Sequence, residues 1–216
     1  MKSALNVCIA TLLFILIFSG CNENEQIIIG GTVTSYPGEA AIEGAEVKLS
    51  AQLIDQGSFN STFQNLDTKY TGADGTFEFT IDPVRANTFK LDISGEPYRT
   101  KSIEFFLDES SNEAYYNEML VLFATLDVHI KNTYTPLSDS DLLKIRIQGI
   151  PDACDNCSGS TFTYLEGASV DTVITYQVTG DDQITLEYRV DKEDDSFHTI
   201  NKYCHPGDTN NIQITY

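Results

Sequence analysis

Apolar and polar residues alternate with period two along most of this chain, the spacing that buries one face of a β-strand. Ile27-Ile28-Ile29 opens the series as an apolar run, and the pair Gly30-Gly31 behind it predicts a bulge or sharp bend. Over 45–53, Val47, Leu49, Ala51 and Leu53 alternate with polar partners. Phe77, Phe79 and Ile81 do the same after the turn signal Thr71-Gly72-Ala73-Asp74-Gly75, and Phe89, Leu91, Ile93 and then Ile103, Phe105 repeat the pattern. A second series starts near Leu120 and runs through Leu126, Val128, Ile130, then Leu143, Ile145, Ile147, then Phe162 and Tyr164. Thr172, Ile174, Tyr176 and Val178 share one face, Asp181-Asp182 makes a turn, and Ile184, Leu186, Tyr188 and Val190 follow. Ile212-Gln213-Ile214-Thr215-Tyr216 closes the chain as a strand expected to pair into a sheet. The best helical stretch, 108–118, is polar on every face and is not expected to dock. Short strands at hairpin spacing predict an all-β chain of two consecutive antiparallel β-sandwiches, and no sequence period makes the halves repeats of one another.

Composition strengthens this reading. Among 216 residues, 22 Thr, 20 Ile and 10 Val supply the β-branched side chains that strands favour, against 12 Ala and 2 Met. The 13 Lys and Arg face 32 Asp and Glu, a formal charge of −19, which excludes nucleic acid as a partner because phosphates need clustered cations.

The N-terminal segment changes the picture of where the chain works. Lys2 precedes the apolar stretch 7–18, interrupted only by Thr11, which matches the charged start and short apolar core of a secretory signal. It is shorter than the roughly 20 apolar residues of a membrane span. Phe18-Ser19-Gly20-Cys21 resembles the lipobox of bacterial lipoproteins, with Phe18 where that family usually has Leu. The resemblance implies cleavage before Cys21, acylation of Cys21, and anchorage in a bilayer. Residues 1–20 are then the signal and 21–26, with Asn22-Glu23-Asn24-Glu25-Gln26, a polar tether like those that mark some Gram-negative lipoproteins for the outer face.

Three segments of the first half carry a second resemblance. Gly31-Thr32-Val33, Ile42-Glu43-Gly44-Ala45-Glu46-Val47 and Thr71-Gly72-Ala73-Asp74-Gly75-Thr76-Phe77 resemble carboxypeptidase regulatory-like domains, which share the transthyretin-like (prealbumin-like) sandwich. The resemblance covers about 27–108 and implies a non-catalytic accessory or recognition module. Gly44 and Gly75 are expected to take positive φ in its turns. The expected organisation is therefore 27–119 as this sandwich and 120–216 as a second, immunoglobulin-like one. Hydroxyisourate hydrolases also use the transthyretin-like fold, but Pro97-Tyr98-Arg99-Thr100 lies mid-chain and lacks the Gly-Ser of their terminal Tyr-Arg-Gly-Ser, so that activity is not expected.

Candidate chemistry is sparse. With Cys8 in the signal and Cys21 lipidated, Cys154, Cys157 and Cys204 remain, and outside the cytoplasm a disulfide is favoured. The first reading joins the Cys154/Cys157 loop to Cys204. Alternatives are a local Cys154–Cys157 bridge and a zinc site completed by His205. His129 alternates with Val128 and Ile130 and is expected to face solvent or the domain boundary. Asp139-Ser140-Asp141 and Asp191-Lys192-Glu193-Asp194-Asp195 offer oxygen ligands for Ca²⁺ but read first as solvated turns. No catalytic residue, cofactor or metal is assigned. The function expected is a non-enzymatic, membrane-anchored binding or assembly module at the outer membrane, with a protein or polysaccharide partner. Tyr36, Tyr115 and Tyr116 are the candidate sugar platforms, the tyrosine pair being placed in the loop between modules. The alternatives are a glycan-binding accessory of polysaccharide uptake and a fibre subunit that exchanges an exposed 27–29 strand.

Overall fold

Buried β-branched and aromatic positions at every second residue have a single outlet, which is to face one another across two sheets. The computed structural model describes residues 26–55, 58–107, 111–133, 136–148, 157–191 and 197–216. Cys21, the tether up to residue 25, Cys154 and 192–195 lie outside them.

The first unit contains β1 (Ile27–Tyr36), β2 (Glu46–Asp55), β3 (Ser58–Phe59), β4 (Gln64–Tyr70), β5 (Thr76–Ile81), β6 (Ala86–Ser94), β7 (Lys101–Phe105) and β8 (Glu113–Val121). One sheet has the order β5-β1-β8, with β1 antiparallel to β5 and parallel to β8. The facing sheet runs β4-β2-β6-β7, with the short β3 also pairing the end of β2. Ile29, Phe79, Leu49, Leu91, Ile93 and Leu120 are fully buried between them. Phe105 closes one side, stacked on Phe89 at 5.6 Å and packed against Tyr116 at 4.7 Å.

The motif segments turn out to be the staple of this unit. The buried Thr71 hydroxyl donates to the Ile42 carbonyl at 2.6 Å and accepts the Ala45 amide at 2.9 Å, tying the Ile42-Glu43-Gly44-Ala45 turn to the hairpin before β5. Gly44 and Gly75 have φ of +74° and +75°, as expected. Asp74 accepts the Thr76 hydroxyl and amide, and these bonds hold its carboxyl below the usual carboxylate range.

The glycine pair is explained differently from the expected bend. β1 pairs continuously with β8 through both glycines. A side chain on Gly31 would sit 1.7 Å from the Tyr116 carbonyl oxygen, so glycine is what lets β8 come alongside. Ile27 and Ile29 are buried in the central strand of their sheet, so an exposed 27–29 edge available for strand exchange does not exist.

The second unit contains β9 (Phe123–Lys131), β10 (Leu142–Gln148), β11 (Thr163–Glu166), β12 (Asp171–Thr179), β13 (Asp182–Val190), β14 (His198–Cys204) and β15 (Thr209–Thr215). Its sheets run β12-β9-β15 and β11-β10-β13-β14, with β9 antiparallel to β12 and parallel to β15. That is the strand order of the first unit, element for element apart from β3. In place of a distinct immunoglobulin-like module, the second half repeats the topology of the first. Sequence period could not show this, because the topology needs only alternation and turns, and the connecting lengths differ. Leu126, Ile130, Leu143, Ile145, Ile147 and Leu186 form the second core.

β8 passes two residues beyond the expected boundary at 119/120, with Leu120 in the first core, and only Leu122 separates it from β9. Leu122 donates its amide to Tyr36 O at 3.2 Å, Arg99 to Val121 O at 2.8 Å, Phe123 to Pro97 O at 3.1 Å, and Gly207 to Phe123 O at 2.9 Å. Turns from both units thus close on one residue, with no free linker between them.

Two outcomes test this account. Gly31→Ala drives its methyl into a backbone oxygen and should cost about 2–4 kcal/mol, whereas Gly30→Ala meets the Tyr115 ring at 3.1 Å and the Phe77 carbonyl oxygen at 3.2 Å, contacts that a shift of a few tenths of an ångström relieves, and should lower the melting temperature less. Tyr216 is buried, donates its amide to Lys131 O at 3.1 Å, and accepts from Thr133. Tyr216→Ala should therefore destabilise the chain by about 2–4 kcal/mol in urea titrations.

Candidate functional site

The outward positions of the β5-β1-β8 sheet form cross-strand rows, because successive side chains alternate faces. Glu78, Gly30 and Tyr115 make one row; Thr76, Thr32 and Asn117 make the next. Gly30 has no side chain, and a β carbon there would meet the Cε1–Cδ1 edge of the Tyr115 ring at 3.1–3.2 Å and the Phe77 carbonyl oxygen at 3.2 Å. Thr32 donates its hydroxyl to Asn117 Oδ1 at 2.8 Å and fixes the amide beside the ring. The end of β4, at the edge of the other sheet beside β5, supplies Lys69 and Tyr70.

Thr32, Thr76, Glu78, Tyr115 and Asn117, with Gly31 and Phe77 of the same strands and Lys69 and Tyr70 of β4, line an open groove of about 490 Å³. Tyr115 is 62% exposed on it, whereas Tyr70, 65% exposed, pairs in register with Glu46, which alternates with the buried Val47, so its ring lies on the outer face of the β4-β2-β6-β7 sheet. Tyr70 donates to Glu46 Oε2 at 3.1 Å, and that carboxylate holds the phenol protonated by raising its pKa. Lys69 lies 3.7 Å from Asp67, and Glu78 adds a second acid, so the groove concentrates no net positive charge.

Of the three tyrosines singled out from the sequence, Tyr115 is on this surface. Tyr116 points the other way into the first core, since both belong to strand β8 rather than to a loop. Tyr36 sits at the junction and contributes its carbonyl to Leu122. Tyr70 was missed because β4 carries a single half-buried leucine, Leu66, and its alternation is too weak to mark a strand.

A second surface lies on the outer face of the β11-β10-β13-β14 sheet. The Arg146 guanidinium stands 4.3 Å from the Phe162 ring centre, Arg189 stands 5.5 Å from Phe197, and Lys144 stands 6.0 Å from Tyr164. Arg146 also pairs with Glu187 at 2.6 Å, and Arg189 and Lys144 share Asp191. The cations of this face are thus compensated within it. Sequence alternation marked Phe162 and Tyr164, but not the cations between which they lie.

The other candidates resolve as follows. Cys204 is a free thiol fully buried at an inward position of β14, and burial pushes its pKa up. The bridge expected between the loop and Cys204 is therefore not formed: the sulfur faces the core, 3.9 Å from Lys202 O. Cys157 is disulfide-bonded, and Cys154 lies outside the described residues. His205 packs edge-on against Tyr203 at 4.9 Å, and Tyr203, hydrogen-bonded to Asp181, has its phenol pushed up to about 12. His129 faces solvent and meets Asp171 at 2.6 Å, with Lys131 on the other carboxylate oxygen at 2.7 Å. Those two partners hold the Asp171 carboxyl below its ordinary range. Asp141 is buried and accepts the Asn132 amide at 2.9 Å and the Ser138 backbone at 3.0 Å, a turn-forming role. Among the described residues, no group of three or more His, Cys, Asp or Glu is placed to hold a metal.

No protein-family model matches the sequence, and no curated protein matches it either. Among solved structures, a streptococcal ancillary pilin is similar with a TM-score of 0.46 and 11% identity, over 89% of this chain and 63% of that one. This chain thus spans less than two thirds of that pilin. The shaft pilin SpaA of Lactobacillus rhamnosus GG is similar with a TM-score of 0.33 and 11% identity, over 88% of this chain and 97% of that one. A DUF3823 family protein of Bacteroides uniformis is similar with a TM-score of 0.32 and 12% identity, over 84% and 98%. Likenesses this distant assign neither an activity nor a partner to the chain.

The buried thiol gives a direct test. Native protein at pH 8 should leave Cys204 unmodified by iodoacetamide over hours, and labelling should appear only on unfolding. Rapid labelling of Cys204 in the native state would contradict its placement in the core.

Proposed function

We propose that this protein is a lipid-anchored, non-catalytic binding module of the bacterial outer membrane, with two β-sandwiches displayed in fixed relation from an acylated Cys21. The observation that carries the reading is Phe18-Ser19-Gly20-Cys21 behind a short apolar stretch, followed by a polar tether of only five residues. β1 begins at Ile27, and its far end, Tyr36, is bonded to Leu122. A tether leading into Ile27 therefore enters the first unit at the end opposite the junction. At about 3.3 Å per residue a ten-residue strand spans roughly 30 Å, which holds the second unit beyond the first as seen from the anchor.

The acidity fits this setting. Removing 1–20 takes away Lys2 and no acid, leaving a net charge of −20. Such a chain is repelled by anionic headgroups, so attachment falls to the acyl chains. Each buried CH₂ of those chains contributes about 0.8 kcal/mol. The fixed junction suits display, because two surfaces held without a linker reach a partner with little ordering left to lose.

Metabolic labelling with an alkyne fatty acid checks the anchor. Wild type should carry label and sediment with outer membrane, and Cys21→Ala should lose the label and the membrane fraction together. A soluble, unlabelled wild-type protein would overturn the proposal.

A further inference from the structure

We infer that a groove on the outer face of the β11-β10-β13-β14 sheet is a binding site for an acidic saccharide, with Arg146 receiving the sugar carboxylate. The inference takes the binding-module reading as its premise, gives it a ligand class, and is independent of the lipid anchor.

Strand register puts the groove on one face. Arg146 and Gln148 of β10 alternate with the buried Ile145 and Ile147, and their cross-strand partners on β13 are Glu187 and Thr185. Arg146, Gln148, Ser160, Gln183 and Thr185 line a groove of about 460 Å³. Besides Ile147, its lining among the described residues is one cation and four neutral amide or hydroxyl side chains, with no carboxylate. Two neighbours fix the guanidinium: the Phe162 ring centre lies 4.3 Å from its central carbon, and Glu187 Oε2 lies 2.6 Å from Nε. The Glu187 side chain is 11% exposed and that of Arg146 34%, so the acid is covered while the cation keeps an accessible edge. A guanidinium carries five N–H donors. Glu187 takes the one on Nε, and the terminal nitrogens bond no described residue. Burying the Glu187 charge costs desolvation that an apolar pair would not; what the pair gains is a guanidinium held in one plane, ready for a bidentate carboxylate.

The first unit shows that the strand order does not require this arrangement. β2 and β6 occupy there the places of β10 and β13, and on the corresponding face they carry Lys48 with Asp92, Ser50 with Lys90 and Gln52 with Thr88. Lys90 also lies over a ring, Phe63 at 5.0 Å, but its ammonium goes to Asp92 at 2.8 Å. The flat, part-exposed arginine belongs to the second unit.

Chemistry selects the ligand. A uronic acid presents a planar carboxylate at one corner of a ring of hydroxyls. The terminal nitrogens of Arg146 match the first, and Gln148, Ser160, Gln183 and Thr185 offer donors and acceptors to the second. Thr185 donates its hydroxyl to Asn201 Oδ1 at 2.8 Å, which keeps its oxygen for accepting. An apolar ligand would leave these groups without partners, and a neutral sugar would leave the guanidinium edge unanswered. A densely charged polyanion needs clustered cations, and the groove has one. The field of the remaining acidic surface is screened over about 8 Å at physiological ionic strength. A protein partner takes about 20–30 residues a side, whereas this groove of about 460 Å³ falls in the size range of small-ligand sites.

The test uses the mature lipoprotein purified in detergent. The probes are glucuronoxylan, hyaluronan and alginate in affinity electrophoresis and calorimetry. Their comparators are the same polymers with carboxylates reduced to hydroxymethyl groups, and dextran sulfate as the densely charged polyanion. At least one uronate polymer should bind, and its reduced form should bind tenfold or more weakly. Arg146→Gln alone strands a covered carboxylate, so it is combined with Glu187→Gln; the double variant should melt near wild type and lose tenfold or more in affinity. Gln148→Ala, a neutral change on the groove, should weaken binding threefold or more and keeps the test open should the double variant fail to fold. Lys90→Gln, a cation on the first unit, should leave binding unchanged. Absence of binding to every uronate polymer, equal binding of the reduced forms, tighter binding of dextran sulfate, wild-type affinity in a folded double variant or in Gln148→Ala, or an equal loss in Lys90→Gln would each overturn the inference. A reduced polymer or an envelope protein retained equally by wild type and the double variant, with no uronate polymer bound, would overturn it while leaving the binding-module reading standing.

Discussion

Both units depend on a first strand that is paired on both sides. β1 is antiparallel to β5 and parallel to β8, and β9 stands in the same relation to β12 and β15. A strand so placed must admit a neighbour along each edge, and at Gly31 the approach of β8 is close enough that any side chain would strike the Tyr116 carbonyl. The parallel partner is also the last strand of its unit, so each sheet is completed only when the unit's whole chain has come back. Stability, junction and outer surface all follow from this closure. β8 can hand over to β9 through Leu122 only because it lies beside β1, whose end bonds Leu122.

The same strand sets the functional face. Its inward residues Ile29 and Val33 are fully buried, while Thr32 faces the groove from the opposite side. One strand thus holds the core and the floor of the candidate site, so the tyrosine on the site rests on a rigid element rather than on a loop. Rigid placement favours weak ligands, because little side-chain and backbone ordering remains to oppose binding. The cation–aromatic surface of the second unit differs in kind. Its charges are paired internally, as Arg146 with Glu187 and Arg189 with Asp191, and the rings shield those pairs.

Strands with strong alternation were legible without the structure, as at Val47-Leu49-Ala51, Phe77-Phe79-Ile81 and Leu143-Ile145-Ile147, and every one of these side chains except the partly buried Ile81 is buried. β4, β8 and β14 were not, for a common reason. Each has half-buried inward positions and charged or hydroxylated outward ones, so hydrophobicity changes little along it. Residues 113–118 therefore read as polar on every face, although Ala114 and Tyr116 turn inward from β8. Motif reasoning located the Gly44 and Gly75 turns correctly because positive φ is a local demand. The disulfide reading failed at Cys204 because a thiol's direction depends on strand phase, and β14 had not been recognised.

By itself the sequence determined the all-β class, the two-unit division, the left-handed turn glycines and the acidity, and it set the expectation of a lipid anchor at Cys21. These depend on composition, period and short motifs, which are local. Only the tertiary structure decided that the second unit repeats the topology of the first, that Ile27-Ile28-Ile29 lies in a central strand, that Cys204 is sealed in a core, and that Tyr115 is exposed while its neighbour Tyr116 turns into the core. Each of those depends on which strand lies beside which, a contact between residues tens of positions apart. Strand order follows from the packing of the two sheets, and alternation along one strand carries no information about its neighbour.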